Sequence, residues 1–353
     1  MMLRALDVIL LPFLLFIVLL LSLFRLRQSY CFYSPVGLNG SIKNLYSYYN
    51  FKGKITYELY SNNDFSTYVR NVICILRSKH VFLTHGVGGL PLILFSSVRI
   101  QLWHGIPLKK ILLDNENDSK REKSLMFFIL YKLRIYLSYN FLITGRGEAS
   151  DVLVNSFGFP ETKVKRVSGY ISNYLLDVND LRIARNKSDI AYLPTWRESD
   201  DATTNIFNLI YCKKLDNILG SYDKKLTIYP HPYDRDLYYH LEEKNPNFGK
   251  LKNIELSKES VNVGSYNKII TDYSSIAFEA MHYGVDVAFF CPDLMDYVSS
   301  GREMYDYFYK LHILTKIEDL EAYIVNKDPS DLENLEKIYT YNERPAEQIY
   351  ELF

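Results

Sequence analysis

Ten short apolar runs, most of them closed by a polar or aromatic cluster, constrain this chain more than any other feature. They are KITYELY (54–60), HVFLTH (80–85), RIQLWH (99–104), NFLITG (140–145), VKRVSG (164–169), DIAYLP (189–194), KLTIYP (225–230), NIELS (253–257), KIITD (268–272) and DVAFF (286–290). Helix-length stretches at 121–138, 202–220 and 274–283 lie between several of them. Strands that alternate with helices build parallel sheets covered on both faces, so an α/β fold is predicted. A length of 353 residues suffices for two such domains. The polar stretch at 172–188, SNYLLDVNDLRIARNKS, reads as the hinge between a domain at 29–180 and one at 181–353.

The residues before the first domain, 1–28, read differently. From Val8 to Phe24 no charge interrupts the sequence. At about 1.5 Å per residue such a helix just reaches across a hydrocarbon core about 30 Å thick. Pro12 sits near one end, where a helix tolerates it. A cleaved signal peptide would have a shorter apolar region followed by small residues, whereas RLRQSYCFY follows here. The reading is therefore a retained transmembrane helix. Arg25 and Arg27 after it, against Arg4 before it, place the rest of the chain in the cytoplasm.

Composition excludes several functions. Lys+Arg and Asp+Glu are 41 each, so no global positive field calls for nucleic acid. Cys31, Cys74, Cys212 and Cys291 follow no CxxC spacing, and the seven histidines show neither HExxH nor HxH. No metal site is predicted, and free thiols in a reducing compartment are expected.

Five clusters fall at the carboxyl ends of predicted strands: WHG (103–105), TGRGE (144–148), PTWR (194–197), PHPYDR (230–235) and TDYSS (271–275). That edge is where open α/β sheets bind ligands, so an enzyme is expected. In TDYSSIAFEA, Asp272 ends a strand, and Ser274 or Ser275 can cap the next helix. Its free N–H groups and positive dipole end suit a phosphate, although a well-capped helix would look the same. Glu279 stands one turn along and could reach ribose hydroxyls or simply pair with a surface cation. His231, held between two prolines, points in one direction, as a group that meets substrate must; a rigid loop with a backbone-bonded histidine is the plainer alternative. Arg235 could support a phosphate. Arg197 could clamp phosphate oxygens as a planar fork, or serve only in a salt bridge between domains. In QLWHGIPLKK, Trp103 can wall the ring of His104 into a partly dry position, where its pKa suits it to take a proton from a hydroxyl. Gly105 permits close approach, and Lys109 and Lys110 add positive charge on the acceptor side. A core histidine beside a core tryptophan remains the alternative. The glycines of THGVGGLPL (84–92) lack nucleotide-loop spacing and read as a close-packed turn; YDYFY (305–309) reads as core.

QLWHGIPLKK, YLPTWRE, PHPYDR, TDYSSIAFEA and GREMYDYFY, in this order over roughly residues 80–310, resemble the CDP-glycerol glycerophosphotransferase family of teichoic acid primases and polymerases. The resemblance implies a GT-B-like fold, with two Rossmann-like domains facing across a cleft, the C-terminal one holding the CDP donor. It also implies His104 and His231 as catalytic histidines, Ser274 and Ser275 at the donor pyrophosphate, and no cofactor. The implied substrates are CDP-glycerol or CDP-ribitol and a lipid-linked glycan acceptor, in teichoic acid or capsule synthesis. Family members commonly carry a Gly-x-Pro-Arg-Asn-Asp-like stretch; here Gly169 and Asn173 are kept, with Ile171, Ser172 and Tyr174 at the proline, arginine and final acidic positions. The usual helix aspartate is Glu279. The sequence leaves open two other functions: a GT-B glycosyltransferase using a nucleotide-sugar, and a membrane-tethered module that binds polymer without turnover. It leaves the oligomeric state open as well.

Overall fold

A computed structural model describes residues 2–38, 40–61, 63–115, 125–167, 189–244, 251–259, 261–282, 284–325, 337–338 and 345–353. By its internal contacts the chain divides into two compact units. Unit 1 comprises Met1–Ile106, Leu112–Leu176 and Tyr339–Phe353; unit 2 comprises Pro107–Ile111 and Asp177–Ile338. The hinge expected at 172–188 lies outside the described residues.

Unit 1 holds α1 (Met2–Leu23), β1 (Ser29–Tyr33), α2 (Gly40–Phe51), β2 (Thr56–Leu59), α3 (Phe65–Arg77), β3 (Ser78–Leu83), β4 (Val98–Gln101), α4 (Leu125–Ser138), β5 (Phe141–Thr144), α5 (Glu148–Phe157) and β6 (Val164–Arg166). Its six strands form one sheet in the order β2-β1-β3-β4-β5-β6, all neighbours parallel. Phe32, Phe82 and Ile100 of that sheet are fully buried under Leu45 and Tyr49 of α2. Local chemistry sets the helix ends. Asp64 caps α3 by accepting the Thr67 N–H at 2.8 Å, and Gly158 ends α5 in the left-handed conformation that glycine adopts without strain.

Unit 2 repeats the plan with β7 (Asp189–Leu193), α6 (Asp200–Ile210), α7 (Lys213–Ser221), β8 (Lys225–Ile228), α8 (Arg235–Lys244), β9 (Ile254–Leu256), β10 (Lys268–Thr271), α9 (Ile276–His282), β11 (Asp286–Phe290), α10 (Leu294–Ser299), β12 (Ile313–Leu314) and α11 (Ile317–Val325). Its parallel sheet runs β12-β11-β10-β7-β8-β9. The helix expected at 202–220 is two. The chain breaks at Tyr211–Cys212 so that the buried Asp216 of α7 can accept the N–H groups of Lys252 and Asn253 at 2.9 and 2.7 Å, fastening the start of β9. A last helix, α12 (Pro345–Leu352), belongs to unit 1, where Ala346 and Ile349 join the core beneath α2.

The expected transmembrane helix is corrected. Among the described residues, no helix is long and apolar enough to cross a membrane. The apolar run does form α1, but that helix packs along unit 1 against α3 and the turn Leu92–Ser96. Its Asp7 is 2% exposed and accepts the Tyr68 hydroxyl and the Leu92 N–H, each at 3.0 Å. A carboxylate seated in protein hydrogen bonds ties the helix to the domain.

Candidate active site

In unit 1 the chemistry gathers just past β3 and β4. After Gln101 the backbone turns at Trp103, whose φ of 62° is left-handed. That region is costly for a bulky residue and persists only where the surroundings fix it. Here the Gln101 Oε1 accepts the Trp103 N–H at 2.9 Å, and the indole packs edge-on against Phe157, with ring centroids 5.0 Å apart. The turn ends the strand three residues earlier than expected. It sets Trp103 against the His104 ring, with centroids 4.0 Å apart.

The other face of His104 meets His85. Their rings stack with centroids 4.4 Å apart and planes 6° from parallel. His85 is itself held: its carbonyl accepts from the Gln101 side chain at 3.3 Å, and its Nδ1 lies 2.8 Å from the Thr84 hydroxyl. The Nδ1 of His104 lies 3.2 Å from the Thr84 carbonyl. A carbonyl only accepts, so this nitrogen carries the proton and the lone pair sits on Nε2. Desolvation lowers the His104 pKa, partly offset by the Thr84 carbonyl. It lowers that of His85 to about 4, helped by His104 alongside. Both rings are neutral near pH 7. The sequence reading weighed THGVGGLPL for its glycines and passed over this histidine; the signal was a histidine ending a strand beside the WHG strand. Nor is the turn uniformly close-packed: a side chain at Gly86 or Gly88 would meet open space, and only Gly89 lies against Tyr33 and Ser61.

His85 packs flat against the His104 ring, which is consistent with holding that ring in place. His85→Phe preserves the stack and is expected to preserve turnover. His85→Ala is expected to lower kcat about tenfold, the worth of one aromatic contact, with little change in KM. Steady-state kinetics of the two variants checks this; equal loss in both would show that the imidazole itself reacts.

In unit 2 the ends of β7, β10 and β11 meet at one buried network. Asp272 is fully buried and accepts the Thr195 N–H at 2.9 Å, the Thr195 hydroxyl, the Tyr273 N–H at 2.6 Å and the Arg197 guanidinium at 2.6 Å. Arg197 also pairs with Asp293 through two bonds of 2.9 and 3.1 Å. Burial alone would lower the Arg197 pKa; Asp272 and Asp293 more than reverse this and raise it. Two expectations are corrected. Arg197, 5% exposed, is committed to protein carboxylates and is not an open phosphate clamp, and Asp272 has its oxygens taken by the protein, leaving none for a nucleotide. Asp293, just after β11, was the missed partner.

Around this network stand groups with chemistry to spare. His231, partly buried, accepts the Tyr233 N–H on Nδ1 at 3.3 Å. An N–H only donates, so the neutral ring carries its proton on Nε2, opposite to His104. Burial and then the charge of Lys109 lower the His231 pKa. Lys109 and Lys110 belong with unit 2 and not with the acceptor-side segment where the sequence reading placed them. Lys109 forms an antiparallel bridge with Met304, and its Nζ donates to the Tyr297 hydroxyl at 3.2 Å. Lys110 is paired with Glu303 at 2.5 Å. Tyr297 stacks on Tyr273, with centroids 3.7 Å apart, carrying this edge. Ser274 accepts the Ile276 N–H at 3.3 Å, starting α9; Ser275 and Glu279 are partly buried on the same segment. Arg235 opens α8, and its buried Nε has no hydrogen-bond partner among the described residues. Gly105 follows His104 and leads into the segment that joins unit 2.

The sequence profile of the CDP-Glycerol:Poly(glycerophosphate) glycerophosphotransferase family matches residues 41–347, most of the chain. The chain belongs to that family. It is similar to the teichoic acid poly(glycerol phosphate) polymerases of Bacillus subtilis, at 26% identity over 58% of this chain and 29% of the relative, and of Bacillus spizizenii, at 22% over 68% and 64%. The chain thus spans less than two thirds of either relative. The wall teichoic acid polymerase TagF shares its fold, with a TM-score of 0.66 at 20% identity over 92% of this chain and 87% of that one. A histidine-to-asparagine variant of that polymerase soaked with CDPG aligns equally well, with a TM-score of 0.65. The two parallel α/β sheets are therefore those of the GT-B-like architecture that the resemblance implied.

Proposed function

We propose that this protein transfers glycerol phosphate from CDP-glycerol to a hydroxyl of a membrane-linked glycan or polyol-phosphate acceptor, at the cytoplasmic face of the membrane, releasing CMP. Family membership, the names of both polymerase relatives and the CDPG-soaked relative support the donor class. The observation that carries the mechanism is the opposite tautomers of the two histidines. His104, with its bare Nε2, removes the acceptor hydroxyl proton as that oxygen bonds to the glycerol-bearing phosphorus. The bridging P–O bond breaks toward the cytidine side, and CMP leaves. His231, with its Nε2–H, and Lys109 meet the growing negative charge on the phosphates, while Ser274, Ser275 and Arg235 help to hold the donor. Phosphoryl transfer of this kind asks the protein for little beyond positioning and charge stabilisation. Glu279 is assigned to the nucleotide ribose, and Trp103 and Gly105 shape the acceptor approach. Incubating purified protein with CDP-glycerol, CDP-ribitol and UDP-sugars tests the reading. CMP from CDP-glycerol is expected; UDP from a nucleotide-sugar, or no turnover with any donor, would overturn it.

A further inference from the structure

His104 stands between two rings that come from different strand ends, Trp103 after β4 and His85 after β3, with centroids 4.0 and 4.4 Å from its own. Both walls lie beyond the sheet. The backbone ladder between β3 and β4 closes where the Leu102 N–H donates to the Leu83 carbonyl at 2.7 Å. The left-handed turn at Trp103 then carries the chain out of strand geometry. Past that point one side chain takes over from the ladder.

That side chain is Gln101, the last residue of β4 and 1% exposed. Its carboxamide acts as a peptide group set sideways. Oε1 accepts the Trp103 N–H at 2.9 Å, and Nε2 donates to the His85 carbonyl at 3.3 Å. The two bonds fix which atom is which, because exchanging them would set donor against donor and acceptor against acceptor. The Tyr139 hydroxyl donates to the same His85 carbonyl over a longer 3.4 Å and lies beside the Gln101 amide. A buried amide depends on protein partners for its hydrogen bonds, so its two contacts lock together. A carboxylate at this position would lack the donor, and an aliphatic chain would lack both halves.

We propose that Gln101 is a positioning residue for proton transfer at His104, its one amide setting both walls between which that ring stands. The inference rests on the assignment of His104 as the base. Gln101 touches no reacting atom. It acts by keeping the His104 Nδ1 against the Thr84 carbonyl, 3.2 Å away, so that the bare Nε2 faces one direction.

Gln101→Met removes both bonds at similar volume. It is expected to lower kcat for CMP release about 10²-fold, the cost of a misplacement near 1 Å, with KM for CDP-glycerol little changed. In ¹⁵N spectra near pH 7 the His104 ring of this variant should change from one Nδ1-protonated form to a mixture of tautomers. Gln101→Glu keeps the shape. Its carboxyl would face His85, His104 and Tyr139, with the charge of Arg134 acting on Tyr139. It donates to the His85 carbonyl only when protonated, so kcat relative to the parent protein should rise as pH falls. Parental kcat in Gln101→Met, or a lowered kcat with the His104 spectrum unchanged, would overturn the proposal. So would a relative loss in Gln101→Glu that is equal at every pH, and this variant decides alone if Gln101→Met does not fold. The spectra need no substrate. If the parent protein turned over no donor, the proposed reaction would fall, and the spectra would still show whether Gln101 holds the ring.

Discussion

His104→Ala is expected to lower CMP release by about 10²–10⁴, the worth of a single positioned base, while CDP-glycerol still binds. The argument rests on local geometry. The Thr84 carbonyl fixes the proton on Nδ1, His85 and Trp103 hold the ring between them, and desolvation keeps it neutral. A neutral ring with a bare Nε2 is a base at pH 7. Because the folded pKa is lowered, the active form is present at high pH and is lost as pH falls; the acid limb of kcat lies below about 6.5, the ordinary histidine value. The variant should lose that limb together with its rate. Folding should survive, since the residue is exposed at its rim and its only hydrogen bond is to Thr84 among the described residues. Rapid-quench measurement of CMP with the variant and the parent protein decides the matter. Near-parental release would remove His104 from the reaction.

Arg197→Ala is expected to destabilise unit 2 by about 3–5 kcal/mol, because it strands a buried carboxylate without its cation. Asp272 is fully buried and Asp293 mostly so, and both face the same guanidinium. At about 2–4 °C per kcal/mol for a domain of this size, the melting temperature should fall by roughly 6–20 °C. The double replacement Arg197→Met with Asp272→Asn, which removes both charges, should recover a large part of the loss. Differential scanning calorimetry reads this directly. A variant that melts like the parent yet binds CDP-glycerol poorly would restore the open-clamp role that the buried pairing excludes.

The sheets were legible because parallel strands buried on both faces read as apolar runs with polar punctuation, and each of the ten runs overlaps a strand. β1 was missed. Its SYCFY lies a few residues beyond the apolar helix and shows no alternation, since it lies inside the sheet between β2 and β3; it was read as a flank of the anchor. The anchor itself was misread for a related reason. Hydropathy reports how apolar a helix is, not whether a carboxylate such as Asp7 has found partners 61 and 85 residues away. Arg197 shows the same limit. An arginine at a strand end is equally suited to substrate phosphate and to protein carboxylates, and only the fold brings Asp272 and Asp293 to it. His104 and His231 were identifiable as candidates from their rigid local sequence. Their proton positions were not, because each depends on one backbone group.

Nitrogen chemical shifts of the histidine rings, recorded near pH 7 on ¹⁵N-labelled protein and assigned with His104→Gln and His231→Gln variants, test the central claim most directly. His104 should be protonated on Nδ1 and bare on Nε2, and His231 the reverse. A proton on Nε2 of His104, or an imidazolium at that position, would contradict its assignment as the base.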